Sequence, residues 1–118
     1  MTTKIFLVYG SKGSYSSYCE WDLKCFRSKT EAENFRDAAE RYLLDNGLFT
    51  REEVETKWGR RIEWKRTEDF EWECWKDNWQ KLLKENPFDN GGDFDEGYGF
   101  DGYHIRELEL EEDGLWTR

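Results

Sequence analysis

The stretch that decides the fold is Thr67 to Lys84, TEDFEWECWKDNWQKLLK. At about 100° per residue, Trp72, Trp75, Trp79, Leu82 and Leu83 fall within an arc of roughly 100°, the width of a helical stripe that faces a core. The ends agree with the stripe. Thr67 stands where it can cap the first turn, Glu68 and Asp69 where the helix dipole favours anions, and Lys81 and Lys84 where it favours cations. A Trp side chain buries on the order of 200 Å², so three on one face stabilise a fold by several kcal/mol once a sheet covers them. The stripe therefore reads as core rather than as an exposed binding face, and the rest of the chain has to supply the covering sheet.

On the N-terminal side of this helix, Lys57 to Arg66, KWGRRIEWKR, places five bases and two Trp around Gly59, which interrupts any helix and leaves an edge strand as the reading. Thr50-Arg51-Glu52-Glu53 has capping-box spacing without a long apolar stripe behind it, and predicts a short helix or an ordered connector. A second capping box, Ser28-Lys29-Thr30-Glu31, opens a helix that runs to about Leu44 and stops at Gly47, with Ala32, Phe35, Ala39, Tyr42 and Leu43 on one face. Earlier still, Lys4 to Tyr9, KIFLVY, predicts a central strand buried on both faces, and Gly10 to Ser17 a loop. From Tyr18 onward Cys19, Trp21, Leu23 and Cys25 alternate with polar residues, the pattern of a half-exposed strand that pairs antiparallel with the first.

Beyond the helix, Pro87 ends the pattern. Asp89 to Gly102, DNGGDFDEGYGFDG, combines Gly, acids and aromatics in a long loop, and loops of that length in small domains carry function or move. Tyr103 to Leu110, YHIRELEL, is the last strand. Tyr103 and Ile105 share a side, whereas Leu108 and Leu110 fall out of phase, which predicts a bulge or a change of buried face. The expected architecture is α+β: a small antiparallel sheet of three to four strands, two main helices on one face, and a long acidic Gly/aromatic loop, all in a single domain over residues 1–118.

Composition is consistent with a folded chain despite its polarity. Of 118 residues, 36% are hydrophobic, 38% charged and 18% aromatic, so large rings must supply most of the buried area and their number argues against disorder. No apolar run of about 18 residues occurs and the first residues lead directly into a strand, so the expectation is a cytoplasmic protein without a membrane segment. Three cysteines, Cys19, Cys25 and Cys74, imply no paired framework; reduced, half-buried thiols are expected.

Charge is the most informative feature. Residues 85–113 hold eleven acids against one base, Arg106, for a net of −10, while the rest of the chain holds 16 acids and 17 bases, for a net of +1.

The opening KIFLVYGSKGSYSSYCEWDLKCFRSKTEAENF and the late YHIRELELEED resemble a class of small bacteriophage-encoded proteins: a Lys-Ile strand, a Gly-Ser-Tyr loop, an aromatic strand ending in Phe, an Ala-rich helix and a final Ile-x-Glu-x-Glu strand. The resemblance covers roughly the first 45 residues and about ten near the end, carries no catalytic residue, and does not extend to residues 50–100. It implies a phage protein located in the host bacterial cytoplasm. Some small acidic phage proteins inhibit host defence, including anti-CRISPR proteins, so the resemblance implies an inhibitor of that kind.

Chemistry is sparse. His104 is the only histidine, and a Cys-His dyad would draw on cysteines expected in or near the core. Cys19, Cys25, Cys74 and His104 lack zinc-ligand spacing. Gly10-Ser-Lys-Gly13-Ser14 lacks the phosphate-loop spacing and leads into a strand. The acids Asp89, Asp93, Asp95, Glu96 and Asp101 fit no EF-hand frame. No enzyme activity, cofactor or metal is expected.

Two readings of the acidic quarter remain: a solvated surface, or an imitation of a phosphate backbone that competes for the Lys/Arg groove of a host nucleic-acid-handling or defence protein. Aromatics among the acids favour the second, because rings add contact area. The expected partner-binding residues are Asp89, Asp93, Phe94, Asp95, Glu96, Tyr98, Phe100, Asp101, Glu107, Glu109 and Glu111. The last three share one strand side at steps of about 7 Å, close to the phosphate spacing along one strand. In this reading the chain is a monomer or weak homodimer and does not itself bind nucleic acid. The alternative is a small nucleic-acid-binding module that uses Lys57, Arg60, Arg61, Lys65 and Arg66 with Trp58 and Trp64. Against it, those bases are expected to pair with the chain's own acidic loop.

Overall fold

The chain order is β1 (Thr2–Lys12), β2 (Cys19–Phe26), α1 (Lys29–Asp45), β3 (Phe49–Thr56), β4 (Gly59–Arg66), α2 (Trp72–Lys84) and β5 (Phe100–Glu111). This is a computed structural model that describes residues 2–13, 18–67, 72–89 and 99–111, the side chains of 2, 72–76 and 111 excepted. β1 is the central strand of a three-stranded antiparallel sheet ordered β2-β1-β5, and β3 and β4 form a separate antiparallel hairpin. The fold is α+β as expected, with the strands divided between two sheets rather than gathered in one. Among the described residues no helix is long and apolar enough to cross a membrane.

β1 continues through Gly10 to Lys12, three residues into the stretch expected to be loop. Gly10 is needed there for space: a Cβ on it would stand 2.6 Å from the Trp21 ring, which lies across β1. In β2 the predicted alternation holds as far as Leu23 and then breaks. Tyr9 pairs with Asp22 and Val8 with Lys24, so Leu23 is an extra residue that reverses the phase. Cys25 is therefore exposed rather than half-buried, while Phe26 turns to the core and meets Phe35 at 5.3 Å between ring centroids.

α1 begins and ends as its sequence dictates. The Ser28 side chain accepts a hydrogen bond from the Glu31 N–H at 3.3 Å. At the other end Gly47 adopts φ +69°, and the N–H groups of Leu48 and Gly47 donate to the carbonyls of Leu43 and Leu44 at 2.9 and 3.1 Å, with Leu43 and Leu48 both buried. That is the Schellman arrangement, including its hydrophobic contact.

Thr50–Glu53 is strand, not helix. Without an apolar stripe at helical spacing the capping box has nothing to propagate. The cross-strand pairing from Phe49↔Arg66 to Thr56↔Gly59 instead closes over a two-residue turn, Lys57-Trp58. Thr56 Oγ1 donates to the Gly59 carbonyl at 2.8 Å and accepts from the Trp58 N–H at 3.2 Å. Only the root of this hairpin is buried, at Phe49 and Trp64; Trp58 at its tip is 89% exposed.

One cluster of buried residues joins the elements: Val8, Ala32, Ala39, Leu43, Leu48, Phe49, Trp64, Trp79, Phe100 and Tyr103. The Phe49 ring is its hub, 4.8 Å from Phe100, 6.1 Å from Trp79 and 6.5 Å from Trp64. Trp79 is 2% exposed, and Leu82 and Leu83 pack against the cluster half-buried. The core reading of the helix stripe thus holds at these three positions, while the side chains of Trp72 and Trp75 lie outside the described residues. The Tyr42 hydroxyl donates to the Leu82 carbonyl at 2.7 Å, tying α2 to α1.

In β5 the out-of-phase leucines reflect a change of face. Pairing with β1 is unbroken from Ser11↔Gly102 to Thr2↔Glu111, and the one irregular residue is Asp101. Tyr103 and Ile105 point to the core, whereas Leu108 and Leu110 lie opposite Ile5 and Thr3 on the other side of the sheet.

Gly10→Ala should destabilise the protein by about 1–3 kcal/mol in urea unfolding, through overpacking against Trp21. In a Trp21→Ala background the same substitution should cost less than about 1 kcal/mol. Equal costs in the two backgrounds would show that the contact does not matter.

Candidate functional site

The eleven residues expected to bind a partner separate once the chain is folded. Asp93, Phe94, Asp95, Glu96 and Tyr98 lie outside the described residues. Asp89 and Phe100 are interior, at 5% and 3% exposure, which corrects their placement on a binding surface. Oδ2 of Asp89 accepts hydrogen bonds from Trp21 Nε1 and from the Tyr103 hydroxyl, each 2.8 Å. Asn86 Oδ1 in turn accepts from the Phe88 and Asp89 N–H groups at 2.8 and 3.3 Å. A buried carboxylate is tolerated only when donors surround it; here they join β2 and β5 to the segment that follows α2. Burial pushes the Tyr103 phenol far above its ordinary range, and the charge and hydrogen bond of Asp89 add to this. Phe100 packs tilted against Phe49 and edge-on to Trp64 and Tyr103.

What remains is Asp101 and the strand acids. Glu107 and Glu109 are exposed and, with Glu111, occupy alternate positions on one side of β5. Lys4 Nζ approaches Glu107 Oε1 at 3.9 Å with both side chains about half exposed, a pairing that contributes little in water. Arg106, the one base of residues 85–113, points to the opposite side of the sheet. There it donates to Glu20 at 3.1 Å and lies 4.5 Å from the Tyr9 ring centroid. The exposed acids on the other side are left without it.

That opposite side holds a polar cluster that sequence reading missed, because three strands contribute to it. Tyr18 donates to Glu20 at 2.6 Å, and this bond, followed by Arg106, holds the Glu20 carboxyl below the usual range. Ser11 Oγ lies 2.9 Å from His104 Nε2, and the His104 ring is 5.3 Å from that of Tyr9. A Ser-His pair at hydrogen-bonding distance suggests a nucleophile, yet Ser11 is 2% exposed, so the hydroxyl offers no approach to a substrate. Burial pushes the His104 imidazole down, against the opposing pull of Asp101 and Glu20.

A cleft of about 960 Å³ opens between α1, the hairpin root and the start of β5, lined among others by Arg36, Glu40, Arg41, Arg51, Trp64 and Asp101. Its charge is mixed. Burial pushes the Glu40 carboxyl up, only partly offset by the hydrogen bond it accepts from the Tyr103 N–H at 3.3 Å and by Arg51 and Arg36. Asp101 is likewise raised by burial. Among the described residues no three His, Cys, Asp or Glu side chains are grouped to hold a metal ion.

Three cations of the basic segment pair within the hairpin, and the acidic loop expected to pair with them lies mostly outside the described residues. Arg60 reaches Glu55 at 3.3 Å and Glu53 at 3.5 Å, Arg61 reaches Glu63 at 2.6 Å, and Lys65 reaches Glu52 at 3.4 Å. The hairpin thus offsets the charge of three of its cations with its own acids. Trp58 stays exposed at the tip, with Lys57 Nζ 5.6 Å from its ring centroid.

Comparison with known protein families, with curated proteins and with solved structures finds no match.

Asp89→Ala should cost about 2–4 kcal/mol in urea unfolding, because it removes the acceptor that Trp21 and Tyr103 share; Asp89→Asn, which keeps an acceptor, should cost less. Glu40 gives a pH test. Its folded-state pKa is raised above 4.5, so the native state holds the proton more tightly than the unfolded state and stability is lost as pH rises through the folded value. Glu40→Gln should therefore raise the melting temperature at pH 7 and lose that gain below about pH 4. A gain of equal size at both pH values would show that burial of the charge is not its cause.

Proposed function

We propose that this chain is a non-enzymatic binding protein that places the acidic side of β5 in the cationic groove of a nucleic-acid-handling protein, imitating a phosphate backbone. The observation that carries this reading is the separation of charge across β5. Glu107 and Glu109 stand exposed on one side, and the neighbouring Arg106 is turned to the other side and engaged by Glu20. The regular pairing of β5 with the central strand holds the row in a fixed geometry, as imitation of a polymer requires. Asp101 lies apart from this row, in the mixed-charge cleft, and Asp89 and Phe100 belong to the interior. An inhibitor of host defence, the role implied by the resemblance to small phage proteins, would act in this way.

A second reading is favoured by one observation, the 89% exposure of Trp58 beside Lys57, which suits stacking on an unpaired base. Arg60, Arg61 and Lys65 are held by Glu52, Glu53, Glu55 and Glu63, which weighs against it.

The test is competition. In a panel of purified nucleases carrying fluorescent duplex or guide-paired nucleic acid, the chain should displace the nucleic acid from at least one member, more weakly as salt rises. The pair Glu107→Lys and Glu109→Lys should weaken displacement at least about tenfold. Displacement from none of the panel, or displacement indifferent to the charge reversal, would overturn the reading. Direct binding of labelled single-stranded DNA that is lost in Trp58→Ala would establish the second reading instead.

A further inference from the structure

β5 is an edge strand, and its outward-facing backbone groups can be identified from one hydrogen bond. The Tyr103 N–H donates to the Glu40 carboxylate, not to β1. In an antiparallel pair the residues alternate between bonding to the neighbour and pointing away from it. Since the register is unbroken from Gly10↔Tyr103 to Thr2↔Glu111, the N–H and C=O groups of Ile105, Glu107 and Glu109 also point away from the sheet. Glu40 occupies the edge at Tyr103; among the described residues, no strand and no side chain takes up the corresponding groups of the next three.

The side chains along this edge form two distinct rows. On one side stand Glu107 and Glu109; on the other are Leu108 and Leu110, half-buried beside Ile5. The pairing of β1 with β2 stops at Phe6↔Phe26, while β1 and β5 continue together to Thr2↔Glu111, so this part of the edge belongs to a two-stranded extension of the sheet. A strand added here would gain main-chain hydrogen bonds, with an acidic row on one face and a leucine row on the other.

We infer that β5 binds its partner by strand addition, and that the occupant is an extended segment of a cationic protein in which Lys or Arg alternates with Val, Ile or Leu. This rests on the reading of the acidic β5 side as the partner-binding surface and adds the mode of contact. A second copy of the chain does not suit the edge. Two β5 strands paired antiparallel would oppose Glu107 and Glu109 with the same residues of the other copy, and like charges directly opposite destabilise a pair. The same acids guard a bare edge against self-association, which is their ordinary role in edge strands; a basic strand is the partner to which that guard does not apply.

The experiment uses the full chain and a synthetic capped peptide of alternating Lys and Val, with a version N-methylated on the amides of one edge. Affinity is measured by isothermal titration, and backbone exchange by NMR. The unmodified peptide should bind and slow amide exchange at Ile105, Glu107 and Glu109 at least about tenfold, and the N-methylated version should bind at least about tenfold more weakly. The paired variant Glu107→Gln and Glu109→Gln, at exposed positions, should lower affinity by about tenfold with the exchange pattern unchanged. Equal binding of the two peptides, or binding without protection of those amides, overturns strand addition and leaves the acidic surface standing. Failure of both peptides while nuclease displacement persists also overturns strand addition. Peptide binding indifferent to the Gln variants overturns the cationic occupant and the acidic row as its recognition element.

Discussion

Too little aliphatic surface is the constraint on which this structure depends, and the rings that meet around Phe49 are its answer. With 36% of the residues hydrophobic and 18% aromatic, the core is built from Phe49, Trp64, Trp79, Phe100 and Tyr103, set on small residues at Ala32 and Ala39. Rings of that size need room and a place for their polar ends. Room comes from Gly10 under Trp21 and Gly102 under Trp64, where a Cβ would stand 2.6 Å from the indole in each case. Places for the polar ends come from the Leu82 carbonyl for Tyr42 and the Asp89 carboxylate for Trp21 and Tyr103. Hydrophobic burial and hydrogen bonding are thus met by the same side chains.

This explains why an acid from the most acidic quarter of the chain lies inside. Asp89 follows α2 closely enough to be drawn to the two donors that the ring cluster presents, and the Asn86 turn points it inward. Glu107 and Glu109, farther along on β5, meet no such buried donors among the described residues and stay in solvent. Local charge follows a similar logic in the hairpin, where Glu53 and Glu55 of β3 reach Arg60 of β4 and Glu52 reaches Lys65. Exposed pairs of this kind add little stability singly, but they offset part of the positive charge that the hairpin would present to a polyanion.

Much of the fold was legible because periodicity and capping are local. The α1 boundaries follow from Ser28, Glu31 and Gly47, the central position of β1 from its apolar run, and the burial of Trp79 from its place in the helix stripe. Where reading failed, a non-local choice had won. Thr50–Glu53 carries a capping box, but pairing with β4 outweighs a helix that lacks an apolar face. Cys25 follows an alternation that a single extra residue, Leu23, reverses, and nothing in the composition marks the bulge.

The binding surface divides along the same line. By itself the sequence determined how much charge the C-terminal quarter carries and that Glu107, Glu109 and Glu111 share a side, because a strand's period of two is a property of the backbone. Which acids face solvent was decided only by the tertiary structure: it buried Asp89 and Phe100, turned Arg106 to Glu20, and set Ser11 against His104 across two strands. Burial and partnership depend on which distant segments meet, and that is settled by the packing of the rings rather than by any residue's neighbours in the chain.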